Sequence, residues 1–212
     1  MSDHNKINLN KFNCISVNHK DTFKKMSYDE NNKVHLIQSE NLAFNFDSIH
    51  HDFARRKKFE TTSTSDSIYY DDNYFYFIEF KNVPSNKPTL REDIIKKLIY
   101  SYLNFNDLLI EESLLKYNYE SFNIERKFIF VYSKEKTIDY DNKQIERMER
   151  YYQKVGNLQH HTRYKVKKIE EEMKKYIKPY VDKIYKEILF VDNISFEKNY
   201  APNYNKLNNA GK

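Results

Sequence analysis

The chain has 212 residues, of which 39% are hydrophobic and 16% aromatic, and its formal net charge is +5. This length suits one large domain, and the hydrophobic content is too high for an intrinsically disordered chain. The two glycines exclude the glycine-rich phosphate-binding loops of P-loop and dinucleotide-binding proteins. The single cysteine, Cys14, excludes a disulfide framework and a cysteine-based zinc site.

The hydropathy pattern indicates no membrane segment. No apolar run approaches the roughly 18 residues that a membrane span requires, and the first residues lack the basic and then apolar order of a signal peptide. We therefore expect an intracellular, cytoplasmic protein without membrane contact. The small net charge by itself gives little reason to expect a nucleic-acid partner.

The first part of the chain shows little periodicity. Residues 1–33 are rich in Asn, Lys and Asp, and we expect a poorly specified N-terminal segment. Val34 begins a short predicted strand. Ser39 is then followed by apolar residues at positions 42, 46, 49 and 53, which predicts a capped amphipathic helix that ends near Ala54.

Two β-rich runs, within residues 66–81, meet at a turn formed by Asp71, Asp72 and Asn73, which predicts a β-hairpin. A loop of two or four residues pairs positions whose numbers sum to 145, so that Asp66 would stand opposite Glu79. Both faces of the second strand carry apolar side chains, so we expect it to be covered on both sides.

The remainder of the chain predicts three helical regions, a buried strand and a final segment that is a strand or the end of the last helix. A capping box at Thr89 opens a helix, Lys127–Tyr132 forms a buried strand, and helical spacing follows over residues 140–154 and 162–187. Residues 188–191 form a last strand or complete that helix. The expected organisation is a core over residues 34–136, a charged helical extension with the last strand over 137–198, and a frayed tail over 199–212.

Asp66 and Glu79 form the strongest candidate site. Directly opposed residues of a hairpin have Cβ atoms roughly 4.5–5.5 Å apart, close enough for two carboxylates to share one hard cation such as Mg²⁺ or Mn²⁺. Without a cation, two like charges in a partly buried site destabilise each other. An exposed strand end with solvated side chains is the alternative.

Asp66, twelve intervening residues and Glu79-Phe80-Lys81, on a hairpin between two helices, resemble the PD-(D/E)xK nuclease superfamily over residues 39–132. The resemblance implies an α/β (α+β) restriction-endonuclease-like fold, a mixed sheet flanked by helices, and metal-dependent hydrolysis of phosphodiester bonds, in DNA ahead of RNA. By resemblance, Asp66, Glu79 and the backbone carbonyl of Phe80 bind Mg²⁺ or Mn²⁺. Lys81 orients or activates the attacking water and stabilises the developing charge.

The resemblance also suggests an additional acid on the first helix. Glu40 and Asp47 are the candidates, although Glu40 could simply complement the helix dipole. The sequence has Ser65 where the name of the superfamily has proline. On the helix after the hairpin, Lys96 and Tyr100 are four residues apart and could face the substrate or solvent.

Two basic groups are candidates for phosphate contact. Residues 151–190 contain ten basic and five acidic residues, and their apolar stripe could dock on the core or on a second subunit, so a homodimer is a further expectation. A solvated helix face is the alternative for each group. The candidate residues are Arg55, Arg56, Lys57 and Lys58 in the first group and Lys165, Lys167 and Lys168 in the second.

Two other classes of function remain open at this stage. One is a catalytically silent nuclease-fold module that binds nucleic acid or a protein partner. The other is an interaction protein in which the long charged helices are the functional part.

Overall fold

The computed structural model describes residues 9–71, 73–84, 90–114, 125–155, 175–181 and 183–201, and the structural statements below concern these residues. The strands are β1 (Lys20–Thr22), β2 (Tyr28–Asp29), β3 (Val34–His35), β4 (Leu42–Asn45), β5 (Ser67–Tyr70), β6 (Phe75–Lys81), β7 (Arg126–Tyr132) and β8 (Glu187–Asp192). The helices are α1 (Leu9–Ser16), α2 (Phe23–Met26), α3 (Phe46–Lys57), α4 (Leu90–Glu111), α5 (Lys134–Val155) and α6 (Asn193–Asn199), and a 3-10 helix covers Val17–His19.

The fold is built on a mixed sheet of six strands in the order β1-β4-β5-β6-β7-β8. Within this sheet the neighbouring strands β1–β4, β4–β5 and β5–β6 are antiparallel, whereas β6–β7 and β7–β8 are parallel. Parallel neighbours require crossover connections, and α4 and α5 lie in the two that are needed here. The sequence-based expectation of a mixed sheet flanked by helices is therefore confirmed.

The hairpin forms in the predicted register. Ser67 pairs with Ile78 and Tyr70 with Phe75, so that paired numbers sum to 145. Asp71 closes the turn: its N–H donates to the Tyr74 carbonyl at 3.0 Å, and its Oδ1 accepts from the Tyr74 N–H at 2.8 Å. An aspartate that bonds the backbone ahead of it is a common way to fix such a turn.

Strand β6 lies between two hydrophobic cores, one on each face of the sheet. On one face Phe77 is fully buried, with ring centroids 5.6 Å from Phe46 of α3 and 5.2 Å from Phe105 of α4. On the other face the ring centroid of Phe80 lies 5.5 Å from that of Phe196 in α6. The prediction that both faces of this strand are covered is confirmed.

The N-terminal segment differs from the expectation, because residues 9–29 contain α1, β1, α2 and β2. Phe12 of α1 is fully buried and packs edge-on against Phe44 and Phe75. Phe23 of α2 is fully buried in the second core. Single aromatic side chains anchor this segment, and isolated aromatics produce no periodic signal.

The first long helix begins later than the sequence indicated. Residues 42–45 form β4, and α3 begins at Phe46 with Asn45 as its cap, since the Asn45 Oδ1 accepts from the Ser48 N–H at 2.8 Å. The predicted start at Ser39 is therefore wrong. The spacing of Leu42 and Phe46 fits a strand that enters a helix as well as it fits one continuous helix.

The C-terminal half agrees with the prediction in outline. Helix α5 begins at Lys134, ahead of the predicted position 140, because the Ser133 Oγ accepts from the Lys136 N–H at 3.2 Å directly after β7. Strand β8 confirms a last strand and excludes the alternative of a continued helix. Most of the predicted helix 162–187 and the tail from residue 202 lie outside the described residues. None of the described helices is long and apolar enough to cross a membrane.

The cap of α3 gives a test of where this helix begins. Asn45→Ala should lower the free energy of unfolding by about 1 kcal/mol, because it removes the acceptor for the Ser48 N–H. Ser39→Ala is the matched control and should cost less than about 0.5 kcal/mol. Urea unfolding of both variants measures this difference, and a larger loss in Ser39→Ala would contradict the observed helix start.

Candidate active site

The hairpin brings the two predicted carboxylates together. Asp66 lies one position before the Ser67–Ile78 pair and therefore across from Glu79. The Asp66 Oδ2 accepts from the Phe80 N–H at 2.6 Å, and the Asp66 carbonyl accepts from the Phe46 N–H at 3.1 Å. Glu79 has no exposed surface. The predicted juxtaposition of Asp66 and Glu79 is thus present.

Two lysines approach this acidic pair. The Lys81 Nζ lies 3.1 Å from the Glu79 Oε1, as the shared strand face predicted. The Lys97 Nζ lies 3.1 Å from the Glu79 Oε2 and 3.8 Å from the Asp66 Oδ1. The Lys81 side chain is 34% exposed and that of Lys97 is 12% exposed. Two ammonium groups therefore balance two carboxylates.

The Glu79 carboxylate is paired by charge with two ammonium groups. Both of its oxygens are buried, and among the described residues no donor other than these ammonium groups reaches them. Because a buried carboxylate normally accepts several hydrogen bonds, its oxygens retain capacity for a further ligand.

Burial and mutual repulsion make this pair resist ionisation. Burial raises the pKa of Asp66 well above its ordinary value, and the charge of Glu79 raises it further, against the lowering effect of Lys97. Burial also raises the pKa of Glu79, although Lys97 and Lys81 lower it. Burial alone would lower the pKa values of both lysines, but the carboxylates raise them, so the lysines stay protonated.

The loop that leads into Asp66 is held by polar side chains of α3 and α4. The bonds join Thr62 N–H to His50 Nε2 at 3.2 Å, Asn104 Nδ2 to Thr62 Oγ1 at 2.7 Å, Thr64 N–H to Asp47 Oδ1 at 3.3 Å, Lys97 Nζ to the Thr64 carbonyl, and Ser65 N–H to Ser101 Oγ at 2.7 Å. Thr64 and Ser65 are fully buried. The loop therefore positions Asp66 without regular secondary structure.

The two candidates for a third carboxylate lie in different places. Because α3 begins at Phe46, Glu40 precedes β4, and the prediction that Glu40 lies on the first helix is wrong. The Glu40 side chain is 66% exposed, and its Oε1 accepts from the Lys24 Nζ at 2.8 Å. Asp47 lies close enough for its charge to raise the pKa of Asp66.

The predicted basic run at the end of α3 forms ion pairs within the protein. Arg55 pairs with Asp52, Arg56 with Glu112 at 2.7 Å, and Lys57 with Glu111 at 3.1 Å; Lys58 is the left-handed residue that ends the helix. Most of the charge of this run is therefore compensated. The predicted phosphate contacts Lys165, Lys167 and Lys168, and the stripe proposed for a second subunit, lie outside the described residues, apart from Ile177, which packs in the first core.

Lys97 is the functional side chain that the sequence prediction missed. The prediction considered Lys96, which is exposed, together with Tyr100, which is 38% exposed. Lys97 instead follows the buried Ile94 by three residues, which places it on the core side of the helix. A lysine on the core-facing side of a helix is the signal that could have found it.

A cleft of about 730 Å³ opens beside the acidic pair. Asp66, Phe80 and Lys81 line it, together with the β2–β3 hairpin, residues 82–84 and the start of α5. The Asp66 side chain is 21% exposed, whereas Glu79 lies behind it without exposure. A molecule in the cleft therefore meets Asp66 and Lys81 first.

The donor set fits a hard divalent cation. Mg²⁺ is often held by one or two carboxylates, with water and substrate oxygens at its other positions. Asp66 and the two buried oxygens of Glu79 supply such ligands. Within the described part of the chain, no group of three or more His, Cys, Asp or Glu side chains could hold a metal ion. A cation at this site would therefore depend on these two carboxylates.

No protein-family model matches the chain, and neither a curated protein nor a solved structure is significantly similar to it.

The ion pairs of Glu79 predict unequal roles for two adjacent lysines. Lys97→Met should lower the free energy of unfolding by about 3 kcal/mol, because it removes one partner of a buried charge. Lys96→Met, one residue away and exposed, should change it by less than about 0.5 kcal/mol. Equal effects in chemical denaturation would show that Lys97 does not compensate Glu79.

The raised pKa of Asp66 predicts an unusual dependence of stability on pH. The contribution of such a group to stability is fully present below its unfolded-state pKa, about 4, and is lost as the pH rises through the raised folded-state pKa. Asp66→Asn removes this loss. In EDTA, the free energy of unfolding of Asp66→Asn should therefore depend less on pH than that of the wild type, and at pH 8 it should be higher.

Urea unfolding between pH 4 and 8 measures this difference, with Asp139→Asn, at an exposed position of α5, as the control that keeps the wild-type profile. A wild-type profile in Asp66→Asn would contradict the desolvated environment of Asp66.

Proposed function

We propose that this protein is a metal-dependent nuclease of the PD-(D/E)xK type, with DNA ahead of RNA as its substrate. The observation that carries the proposal is the buried Glu79 carboxylate, with Asp66 opposite it, Lys81 beside it and a polar cleft in front. The mixed sheet with flanking helices is compatible with the restriction-endonuclease-like fold that the sequence resembles.

Asp66 and Glu79 would hold Mg²⁺ or Mn²⁺, with the Phe80 carbonyl as the further ligand that the resemblance implies. The cation would supply Lewis-acid chemistry, which lowers the pKa of water and offsets the charge of a phosphate group. Ionised carboxylates are required for this role, so the raised pKa values of both acids make cation binding weaken as the pH falls.

Lys81 and Lys97 have different tasks in this proposal. Lys81 is partly exposed and lines the cleft, so its ammonium group can contact a phosphate oxygen and stabilise negative charge as it develops. Its raised pKa keeps the proton in place, which favours charge stabilisation over proton abstraction. Lys97 contacts both carboxylates, and its ammonium group donates a hydrogen bond to the Thr64 carbonyl in the loop before Asp66. Its task is therefore to position the two acids.

A second candidate is a catalytically silent module of the same fold that binds nucleic acid or a protein partner. The observation in its favour is the balance of charge, since two lysines already neutralise Asp66 and Glu79. A titration with Mg²⁺ or Mn²⁺ separates the two candidates. In a nuclease the cation raises the melting temperature of the wild type and not of Asp66→Asn, whereas a silent module need not respond.

Substitutions in two comparable ion pairs test catalysis. Glu79→Gln or Lys81→Met should lower the rate of DNA cleavage in Mg²⁺ by at least about 100-fold, because each removes a group that stabilises the transition state. The Lys127–Glu187 pair, also 3.1 Å long and also formed from strand residues, supplies the controls Glu187→Gln and Lys127→Met, which should cut at the wild-type rate.

The assay uses single-stranded and double-stranded DNA and RNA, with Mg²⁺, Mn²⁺ or EDTA. Wild-type cleavage by Glu79→Gln would rule out the proposed site. Wild-type protein that binds the cation but cuts none of these substrates would support the silent module instead.

A further inference from the structure

The cleft beside the acidic pair has two unlike walls. One wall is the β2–β3 hairpin with its approach, residues 26–32. The other consists of residues 82–84 and the start of α5, through Lys136 and Tyr140. Since Asp66 and Lys81 also line the cleft, a group bound between these walls lies directly beside the proposed site of phosphodiester cleavage.

The hairpin wall carries groups suited to a nucleobase. Tyr28 is 44% exposed, and its ring lies beside that of His35, with centroids 4.8 Å apart and ring planes tilted by 43°. An exposed aromatic ring is a platform on which any base can stack. Asn31 and Asn32 are exposed beside it, and their amide groups can both donate to and accept from a base edge.

The distribution of charge orients a nucleotide in the cleft. The hairpin wall includes Asp29 and Glu30, which repel phosphate, whereas the lysines that line the cleft, Lys81 and Lys136, belong to β6 and α5. The Lys136 Nζ donates to the Asn82 carbonyl at 2.9 Å, which fixes this lysine on its wall. A nucleotide can therefore place its phosphate towards the lysines and its base towards Tyr28.

The size of the cleft favours one strand over two. A volume of about 730 Å³ equals a cube with an edge of about 9 Å, and pockets of about 300–1,000 Å³ suit small organic ligands. The major groove of B-DNA alone is about 12 Å wide, so a paired duplex is too large to enter. An unpaired nucleotide, or two in succession, is the size that fits.

The hairpin wall is fixed to the other wall through Asp29. Its carboxylate accepts from the N–H groups of Asn31 and Asn32 at 3.0 and 3.1 Å, from the Asn32 Nδ2 at 2.6 Å, and from the Asn82 Nδ2 at 2.9 Å. Burial alone would raise the pKa of Asp29, but these hydrogen bonds lower it, so the carboxylate stays ionised at neutral pH. These hydrogen bonds hold the turn that carries Asn31 and Asn32 in place against Asn82.

We propose that this cleft binds an unpaired nucleotide of a nucleic-acid strand, with its base stacked on Tyr28 and its phosphate towards Lys81 and Lys136. The inference rests on the proposed nuclease function and narrows its substrate class to strands with single-stranded character next to the scissile phosphate.

The test measures binding to short labelled strands by fluorescence anisotropy in EDTA, so that no strand is cut. The probes are a 12-nucleotide single-stranded DNA, the RNA of the same sequence, the blunt duplex, and the DNA strand with four consecutive abasic positions. The proteins are the wild type, Tyr28→Ala, Tyr28→Phe, and Tyr151→Ala as a control, because Tyr151 is 59% exposed on α5 and does not line the cleft.

Single strands should bind at least about tenfold more tightly than the duplex, and Tyr28→Ala should lower that affinity about tenfold, as expected for loss of one stacked base. Tyr28→Phe and Tyr151→Ala should bind like the wild type, and Tyr28→Ala should have no effect on the abasic strand. If the single-stranded DNA and RNA probes differ in affinity, the tighter probe shows whether the cleft prefers deoxyribose or ribose. Equal affinity for the duplex and the single strand, or no effect of Tyr28→Ala, would overturn the inference.

Cleavage of the same probes in Mg²⁺ tests the nuclease function separately. If cutting depends on Glu79 but not on Tyr28, and duplex and single strand are cut equally, the nuclease function is supported and the inference about its substrate is overturned. Binding that depends on Tyr28 without any cutting would support the nucleotide site and overturn the nuclease function.

Discussion

The Glu79 carboxylate lies inside the sheet without exposed surface, and the surrounding structure has to compensate its charge. A buried charge is strongly destabilising unless opposite charges lie close to it. Lys81 meets this demand from the same strand and Lys97 from the helix that follows. The position of α4 relative to the hairpin is therefore linked to the compensation of Glu79 as well as to hydrophobic packing.

The aromatic cores hold this arrangement in register. Strand β6 is covered on both faces, with Phe77 between α3 and α4 and Phe80 against α6. A shift of one residue would move every side chain of the strand to the opposite face of the sheet. Glu79 would then leave Lys97 and enter the second apolar core together with Lys81 of the same strand. Close packing of large rings on both faces thus fixes the geometry of the charged site between them.

The N-terminal segment links the fold to the site. Phe12 and Phe23 anchor it in the two cores, and the β2–β3 hairpin that follows forms a wall of the cleft in front of Asp66. The first core side chains and the cleft wall thus come from the same short stretch of chain. Hydrophobic anchoring over residues 9–29 and access to the carboxylates are therefore coupled, and the segment is part of the proposed active site.

The sequence by itself determined the hairpin, its register and the pairing of Asp66 with Glu79 and Lys81, because a strand pattern of period two and a turn are local properties of the chain. It also predicted α4 and β7, and it left residues 188–191 open between a strand and the end of a helix. Tertiary structure alone decided that Leu42–Asn45 joins the sheet, that the Lys97 ammonium group reaches Glu79, and that Arg56 and Lys57 pair with Glu112 and Glu111. These features depend on partners distant in the sequence. The spacing of apolar residues indicates which face of an element is buried, but it does not specify the element or the charge that covers that face.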